Sequence, residues 1–125
     1  MGKTLNVVQD QLVSPTWVLP LSRVAIALSK TKLHGVYHAT AHGGISWHDY
    51  AAQIFERLEL KADLHPTSQA SWGAKAPRPP YSVLDNAMLR LLGLDSFEDC
   101  SSALDKFLSL HGQAIVAQER ERLKA

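Results

Sequence analysis

Ser46 is followed by Trp47, Tyr50, Ala51, Ile54, Phe55 and Leu58, apolar positions three and four apart. That spacing puts them on one stripe of a helix with a single buried face. Asp49 stands three residues beyond Ser46, the arrangement of a short capping box, so the pattern predicts a helix over residues 47–58. A second stripe, Leu21, Val24, Ala25 and Leu28, predicts a helix over residues 17–29, and Pro20 is compatible with it in the first turn, where its missing N–H would be unpaired anyway. Leu104, Phe107, Leu108 and Leu110 predict a last amphipathic helix starting near Ser101 or Ser102. A shorter helix is expected between Asp85, as its cap, and Gly93, as its stop.

Between these helices the chain turns β-prone in short runs. Leu5, Val7 and Val8 predict one strand, Val36 to Ala39 after Gly35 a second, and Leu64 to Thr67 a third, with Gly43-Gly44 as a turn. Residues 68–82 contain Gly73, Pro77, Pro79 and Pro80 and are expected to form a loop with no regular element. Past Gly112 the charges alternate at Glu119, Arg120, Glu121, Arg122 and Lys124, as on a solvated helix end that frays. Short strands alternating with helices indicate an α/β class: a small mixed lobe over residues 1–112 and a charged helix end or tail over 113–125.

Composition narrows the partners. The 125 residues are 46% hydrophobic, enough for one modest core. With 20% charged residues and a net charge of +1, no basic surface for nucleic acid is expected. The longest apolar stretch, around Val18 to Leu28, is interrupted by Pro20, Ser22 and Arg23 and falls short of the roughly 20 residues a membrane span needs. The single Cys100 forms no internal disulfide, and no secretory leader is recognisable, so a soluble cytoplasmic setting is expected.

Dinucleotide binding through a Rossmann crossover needs glycines clustered between a strand and a helix, and no G-x-G-x-x-G occurs. Hydride-transferring short-chain reductases pair a tyrosine acid with a lysine four residues on, yet Tyr37, Tyr50 and Tyr81 have none there. No catalytic residue and no cofactor are therefore assigned to this chain. His34, His38, His42 and His48 are close in sequence, but Gly35 and a β-prone run separate the first two and no carboxylate or second cysteine completes a ligand set, so no metal is expected. Cys100 lies among Asp95, Glu98 and Asp99, which favour the inert thiol. Phe55 and Tyr50 read as core, while Trp17 and Trp72 lie in or beside loops and are more open to a ligand. Arg78 stands in the proline-held loop, where a guanidinium fork can grip phosphate.

Three stretches, in order, carry a resemblance: residues 8–16 (VQDQLVSPT), Gly35-Val36-Tyr37-His38 leading to Ser46-Trp47, and residues 76–85 (APRPPYSVLD). Together they resemble the C-terminal third of the dTDP-4-dehydrorhamnose reductase family, whose pattern is D-Q-x-G-S-P-T, then G-x-Y-H with a later S-W, then R-P-x-Y-S-x-L-D. The family belongs to the extended short-chain dehydrogenase/reductases, in which a Rossmann domain holds NADPH or NADH and a smaller lobe covers the nucleotide-sugar. The resemblance implies reduction of dTDP-4-dehydro-L-rhamnose to dTDP-L-rhamnose by the full-length enzyme, with this chain supplying the sugar-binding part and inactive alone. Its dTDP-sugar would meet Arg78 at the pyrophosphate, with Asp10, Gln11, Pro15, Thr16 and Tyr81 as further binding positions. Val13 departs from the pattern by replacing its glycine, which puts the backbone of that loop in question. The expected partners are a Rossmann domain or partner chain and, through exposed apolar surface, a second copy. A non-catalytic regulatory or interaction module is the alternative reading, because the same family includes a non-catalytic regulatory subunit.

Overall fold

A computed structural model describes residues 4–122, folded as a mixed α/β lobe. In chain order it consists of β1 (Thr4–Val8), β2 (Leu12–Val13), α1 (Val18–Ser29), β3 (Ile45–Ser46), α2 (Trp47–Arg57), β4 (Asp63–Thr67), α3 (Gln69–Trp72), α4 (Ala87–Leu91) and α5 (Cys100–Arg122). Two small sheets result. β1 runs parallel to β4 with Val8 opposite Thr67, and β2 runs antiparallel to β3 with Leu12 opposite Ser46. A parallel pair needs a long crossover, and here the whole chain from β2 to α2 supplies it.

The helices form for the reasons their spacing implied. Ser46 caps α2 by accepting the Asp49 N–H at 3.0 Å. The Asp49 carboxylate faces His48 Nδ1 at 3.1 Å instead of completing the box. Asp99 caps α5 in the same way through the Ser102 N–H at 3.0 Å. Helix α5 then continues through Gly112 without a break, because that glycine lies against the end of α2: a Cβ there would stand 2.9 Å from Leu58 Cδ2.

The core is small. Val24 from α1, Leu89 from α4 and Phe97 form its centre, with Leu28, Tyr37, Ala39 and Leu94 packed around them. Gly93 ends α4 at φ 66°, and the chain reverses so that the Leu94 N–H reaches the Leu89 carbonyl at 2.9 Å. Amphipathic α2 contributes no fully buried side chain at all.

Three local expectations are corrected. Residues 36–39 are not a strand: among the described residues no neighbour offers them a ladder, so their β-prone side chains leave an extended segment, with Val36 83% exposed. The proline-rich stretch does begin with one helical turn, α3, bracketed by Ser68, which accepts the Ser71 N–H, and by Gly73 at φ 70°. Asp85 does not cap α4; Asn86 occupies that position, while the Asp85 carboxylate pairs with Arg90. Val13 raises no backbone conflict, since it lies in β2 and Glu59 is the one non-glycine with positive φ among the described residues.

Candidate functional site

The first and third motif stretches and the Ser46 end of the second, far apart in sequence, meet at Leu12. Its N–H donates to the Pro80 carbonyl at 2.8 Å, and its own carbonyl accepts the Ser82 N–H at 3.0 Å. Ser82 Oγ adds a third bond to the same carbonyl at 3.3 Å. On its other side Leu12 pairs with Ser46, the residue that begins α2. Residues 8–16, the Ser46-Trp47 end of the second stretch and residues 76–85 are thus joined through one short strand, while Gly35 to His38 lie apart, with Tyr37 packed on the core.

Glycine makes the closest of these approaches. A Cβ on Gly44 would lie 2.6 Å from Val83 Cγ2, so the third stretch can press on the turn that leads into Ser46 only because position 44 has no side chain. Ser14 Oγ donates to the Gly43 carbonyl at 2.6 Å and holds the same turn from the first stretch. Asn86, just beyond the third stretch, is 1% exposed and staples Thr40: its Nδ2 donates to the Thr40 carbonyl at 2.8 Å and its Oδ1 accepts the Thr40 N–H at 3.1 Å. Nothing in sequence singled out Asn86 except its position after the motif.

Of the six residues proposed from sequence, Asp10, Gln11 and Tyr81 flank Leu12 or its bridge partner. Asp10 and Gln11 precede it, and Tyr81 forms a parallel bridge with it. Asp10 Oδ1 accepts the Gln69 N–H at 2.9 Å, which ties the end of β1 to the start of α3. Gln11 is buried and Tyr81 is 63% exposed. Arg78 is exposed in the loop before the junction, and its guanidinium makes no hydrogen bond or ion pair with any described residue. Thr16 is engaged internally: its hydroxyl donates to the Ser14 carbonyl at 2.9 Å and accepts the Ala41 N–H at 3.0 Å. Pro15 and Thr16 line a cavity of about 240 Å³ with Trp17, Tyr50 and Phe107.

The surrounding charges are mostly paired. Arg90 holds the Asp85 carboxyl below its ordinary range, and hydrogen bonds from Thr4 and His65 do the same for Asp63. Asp95 is a buried exception: Oδ1 accepts from Asn86 and Phe97 and faces His42 Nε2 at 3.2 Å, but Oδ2 is buried without a partner. Burial, with Asp99 adding, pushes the Cys100 thiol up. His38, His42, His48 and His65 each turn to a different oxygen, and no group of three metal-ligating side chains occurs among the described residues. No described helix is long and apolar enough to cross a membrane.

A dinucleotide does not fit these residues. β1 leads through Gln9, Asp10 and Gln11 into β2 without a helix, and β4 leads into the four-residue α3, so neither parallel strand presents glycines and a long helix N-terminus to a pyrophosphate.

A dTDP-4-dehydrorhamnose reductase of Streptomyces griseus is 37% identical over 118 residues, covering 89% of this chain and 39% of its own length. The structure of a dTDP-4-dehydrorhamnose reductase from Clostridium acetobutylicum superposes with a TM-score of 0.81 at 33% identity, over 87% of this chain and 39% of that one. The Bacillus anthracis enzyme, solved in complex with NADP, gives 0.80 at 36% identity, over 85% and 38%. The chain therefore spans under two fifths of the length of these relatives. The model of the RmlD substrate binding domain matches residues 1–112, and the chain belongs to that family.

Proposed function

We propose that this chain is the nucleotide-sugar-binding portion of a dTDP-4-dehydrorhamnose reductase, which holds dTDP-4-dehydro-L-rhamnose while a separate cofactor-binding portion reduces its 4-keto group with NADPH or NADH. The observation that carries this reading is the junction at Leu12, which gathers the first and third family stretches and the Ser46 end of the second, with the exposed Arg78 two residues before Pro80 and without a partner among the described residues. An exposed guanidinium in a proline-held loop suits the pyrophosphate of a dTDP-sugar, as a bidentate donor that pays no cost of breaking an existing pair. Asp10, Gln11 and Tyr81 border the same junction and are the further binding positions, while Pro15 and Thr16 shape the loop from behind. The binding lobe is assigned to residues 1–112 and a charged helix end or tail to 113–125, of which residues 1–3 and 123–125 lie outside the described residues.

Accessible surface supports the dependence on a partner. A folded monomer of 13.8 kDa exposes about 6,600 Å² by the usual scaling with mass. This chain exposes 9039 Å². Among the described residues its buried hydrophobic core is Val24, Ala41, Leu89, Phe97, Cys100 and Leu104. Surface left over on this scale is what a lobe shows when the body it packs on is absent. The same surplus suits the alternative, a non-catalytic interaction module.

The test is turnover with and without a cofactor-binding portion. The isolated chain, given NADPH and dTDP-4-dehydro-L-rhamnose, is expected to leave NADPH unoxidised. Addition of the cofactor-binding portion of the Streptomyces griseus relative is expected to restore dTDP-L-rhamnose formation. Reduction by the isolated chain would overturn the division of labour, and a chain that neither binds dTDP-sugar nor supports turnover would favour the interaction module.

A further inference from the structure

Asp10 and Leu12 hold opposite ends of one loop. Asp10 Oδ1 accepts the N–H of Gln69, the first residue of α3, at 2.9 Å. Leu12 holds the far end, its N–H donating to the Pro80 carbonyl at 2.8 Å and its carbonyl accepting the Ser82 N–H at 3.0 Å. Gln11 alone separates the two holding residues, so their Cα atoms are at most about 7 Å apart. The segment from Gln69 to Pro80 therefore leaves and returns at nearly one place, in the manner of an Ω-loop, with Arg78 on its returning arm.

The rest of the lobe holds this loop weakly. Residues 70–80 are all exposed, and residues 74–79 make no hydrogen bond with any described residue. Trp72 borders the groove between β1 and α2 and stays 59% exposed. Ser68 accepts the Ser71 N–H, but that bond stays within the turn. Among the described residues the Asp10 carboxylate makes the one hydrogen bond that ties α3 to the first motif stretch. On the returning arm Pro77, Pro79 and Pro80 each have φ fixed by their ring, so the arm moves as a stiff piece and its freedom lies in residues 73–76.

We propose that Asp10 is a positioning residue for Arg78: its carboxylate fixes the entry of the loop against the lobe and so sets where the guanidinium stands, without itself touching the bound molecule. The proposal rests on the nucleotide-sugar reading and gives one of its residues a role that works through another. Charge favours that role. A carboxylate set against a pyrophosphate repels it, whereas one engaged by an N–H behind the loop leaves the pyrophosphate to Arg78.

The test pairs calorimetric titration with dTDP-L-rhamnose with the rate of trypsin cleavage after Lys75, which reports loop opening whether or not a sugar nucleotide binds. Asp10→Ala is expected to weaken binding roughly threefold to tenfold, the factor that ordering one long side chain costs a site. It is also expected to speed cleavage after Lys75 at least about threefold, while cleavage after Arg57 in α2 and Lys106 in α5 stays as it was. Asp10→Asn keeps an acceptor for the same N–H and is expected to recover most of both. Gln69→Pro removes the N–H and leaves the carboxylate in place. Proline suits the first position of a helix, and Ser68 before it is already extended at φ −89° and ψ 157°, so the turn is retained. This variant is expected to lose as much affinity as Asp10→Ala, and the double variant no more than either alone. Gln69→Pro binding like the original while Asp10→Ala is weakened would put the carboxylate on the sugar nucleotide and overturn the proposal. So would Asp10→Asn that recovers the loop but not the affinity, or Asp10→Ala cut after Lys75 no faster than the original. If the unmodified chain binds no dTDP-L-rhamnose, the nucleotide-sugar reading fails, and the cleavage rates still decide whether Asp10 holds the loop.

Discussion

Replacing Asn86 with alanine should destabilise the lobe more than any exposed motif residue does. The side chain is 1% exposed and spans the Thr40 peptide, accepting its N–H at 3.1 Å and donating to its carbonyl at 2.8 Å, with a longer contact from Nδ2 to Asp95 at 3.4 Å. Truncation strands both Thr40 groups, each at about 1–3 kcal/mol when buried. Thr40 is half-buried, so water recovers part of that loss, and the expected total is about 2–4 kcal/mol. Against the roughly 5–15 kcal/mol of an ordinary domain this is a large fraction. The assay is urea unfolding followed by the fluorescence of the three tryptophans. With a slope of about 1–3 kcal/mol/M, the midpoint should fall by roughly 1–2 M without a change in slope. Asn86→Asp keeps an acceptor but loses the donor and sets a second carboxylate beside buried Asp95, so its deficit at neutral pH should match or exceed that of alanine and shrink in acid. A loss under about 0.5 kcal/mol for Asn86→Ala would refute the claim that this staple holds the third motif stretch to the segment after Gly35.

Other outcomes follow from the same contacts. Gly44→Ala should cost about 1–3 kcal/mol through its 2.6 Å overlap with Val83, whereas Gly112→Ala should be near neutral, because the gain of alanine in a helix offsets a contact with the flexible end of Leu58; urea midpoints compare them. Asp49, Asp63, Asp85 and Asp99 all have carboxyls held below their ordinary values, by His48, Thr4, Arg90 and Ser102 respectively. Groups depressed in the fold stabilise it above their unfolded value of about 3.9, so urea midpoints should hold down to about pH 5 and fall as these carboxyls protonate below it. A midpoint that rises on acidification to about pH 3 would contradict the sign. Cys100, buried with its thiol pushed up, should react with a disulfide reagent only as the chain unfolds, as a thiol-release time course in increasing urea would record.

The sequence made helices legible where one stripe of apolar residues met a cap, as at Ser46 and Trp47, because a helix satisfies its own backbone. Strands need a partner that local pattern does not name. Leu5 to Val8 and Leu64 to Thr67 found each other, while the equally β-prone Val36 to Ala39 has no ladder partner among the described residues. The short β2–β3 pair was invisible for the converse reason, since Leu12–Val13 and Ile45–Ser46 are too brief to show alternation. The site was legible as motifs and illegible as a place: only the backbone bonds at Leu12 reveal that the first and third stretches and Ser46 converge. Asn86 and Asp95 gave no sequence signal, because a buried polar residue is recognised by its partners and not by its neighbours in the chain.

The central claim is that this lobe grips a nucleotide-sugar through Arg78. Its most direct test is calorimetric titration of the chain with dTDP-L-rhamnose, repeated on Arg78→Ala. Arg78 is exposed and has no partner among the described residues, so the substitution should leave stability within about 0.5 kcal/mol of the original while weakening binding at least tenfold, or about 1.4 kcal/mol. Equal affinity in the two proteins, or no heat of binding to the unmodified chain at millimolar sugar nucleotide, would contradict it.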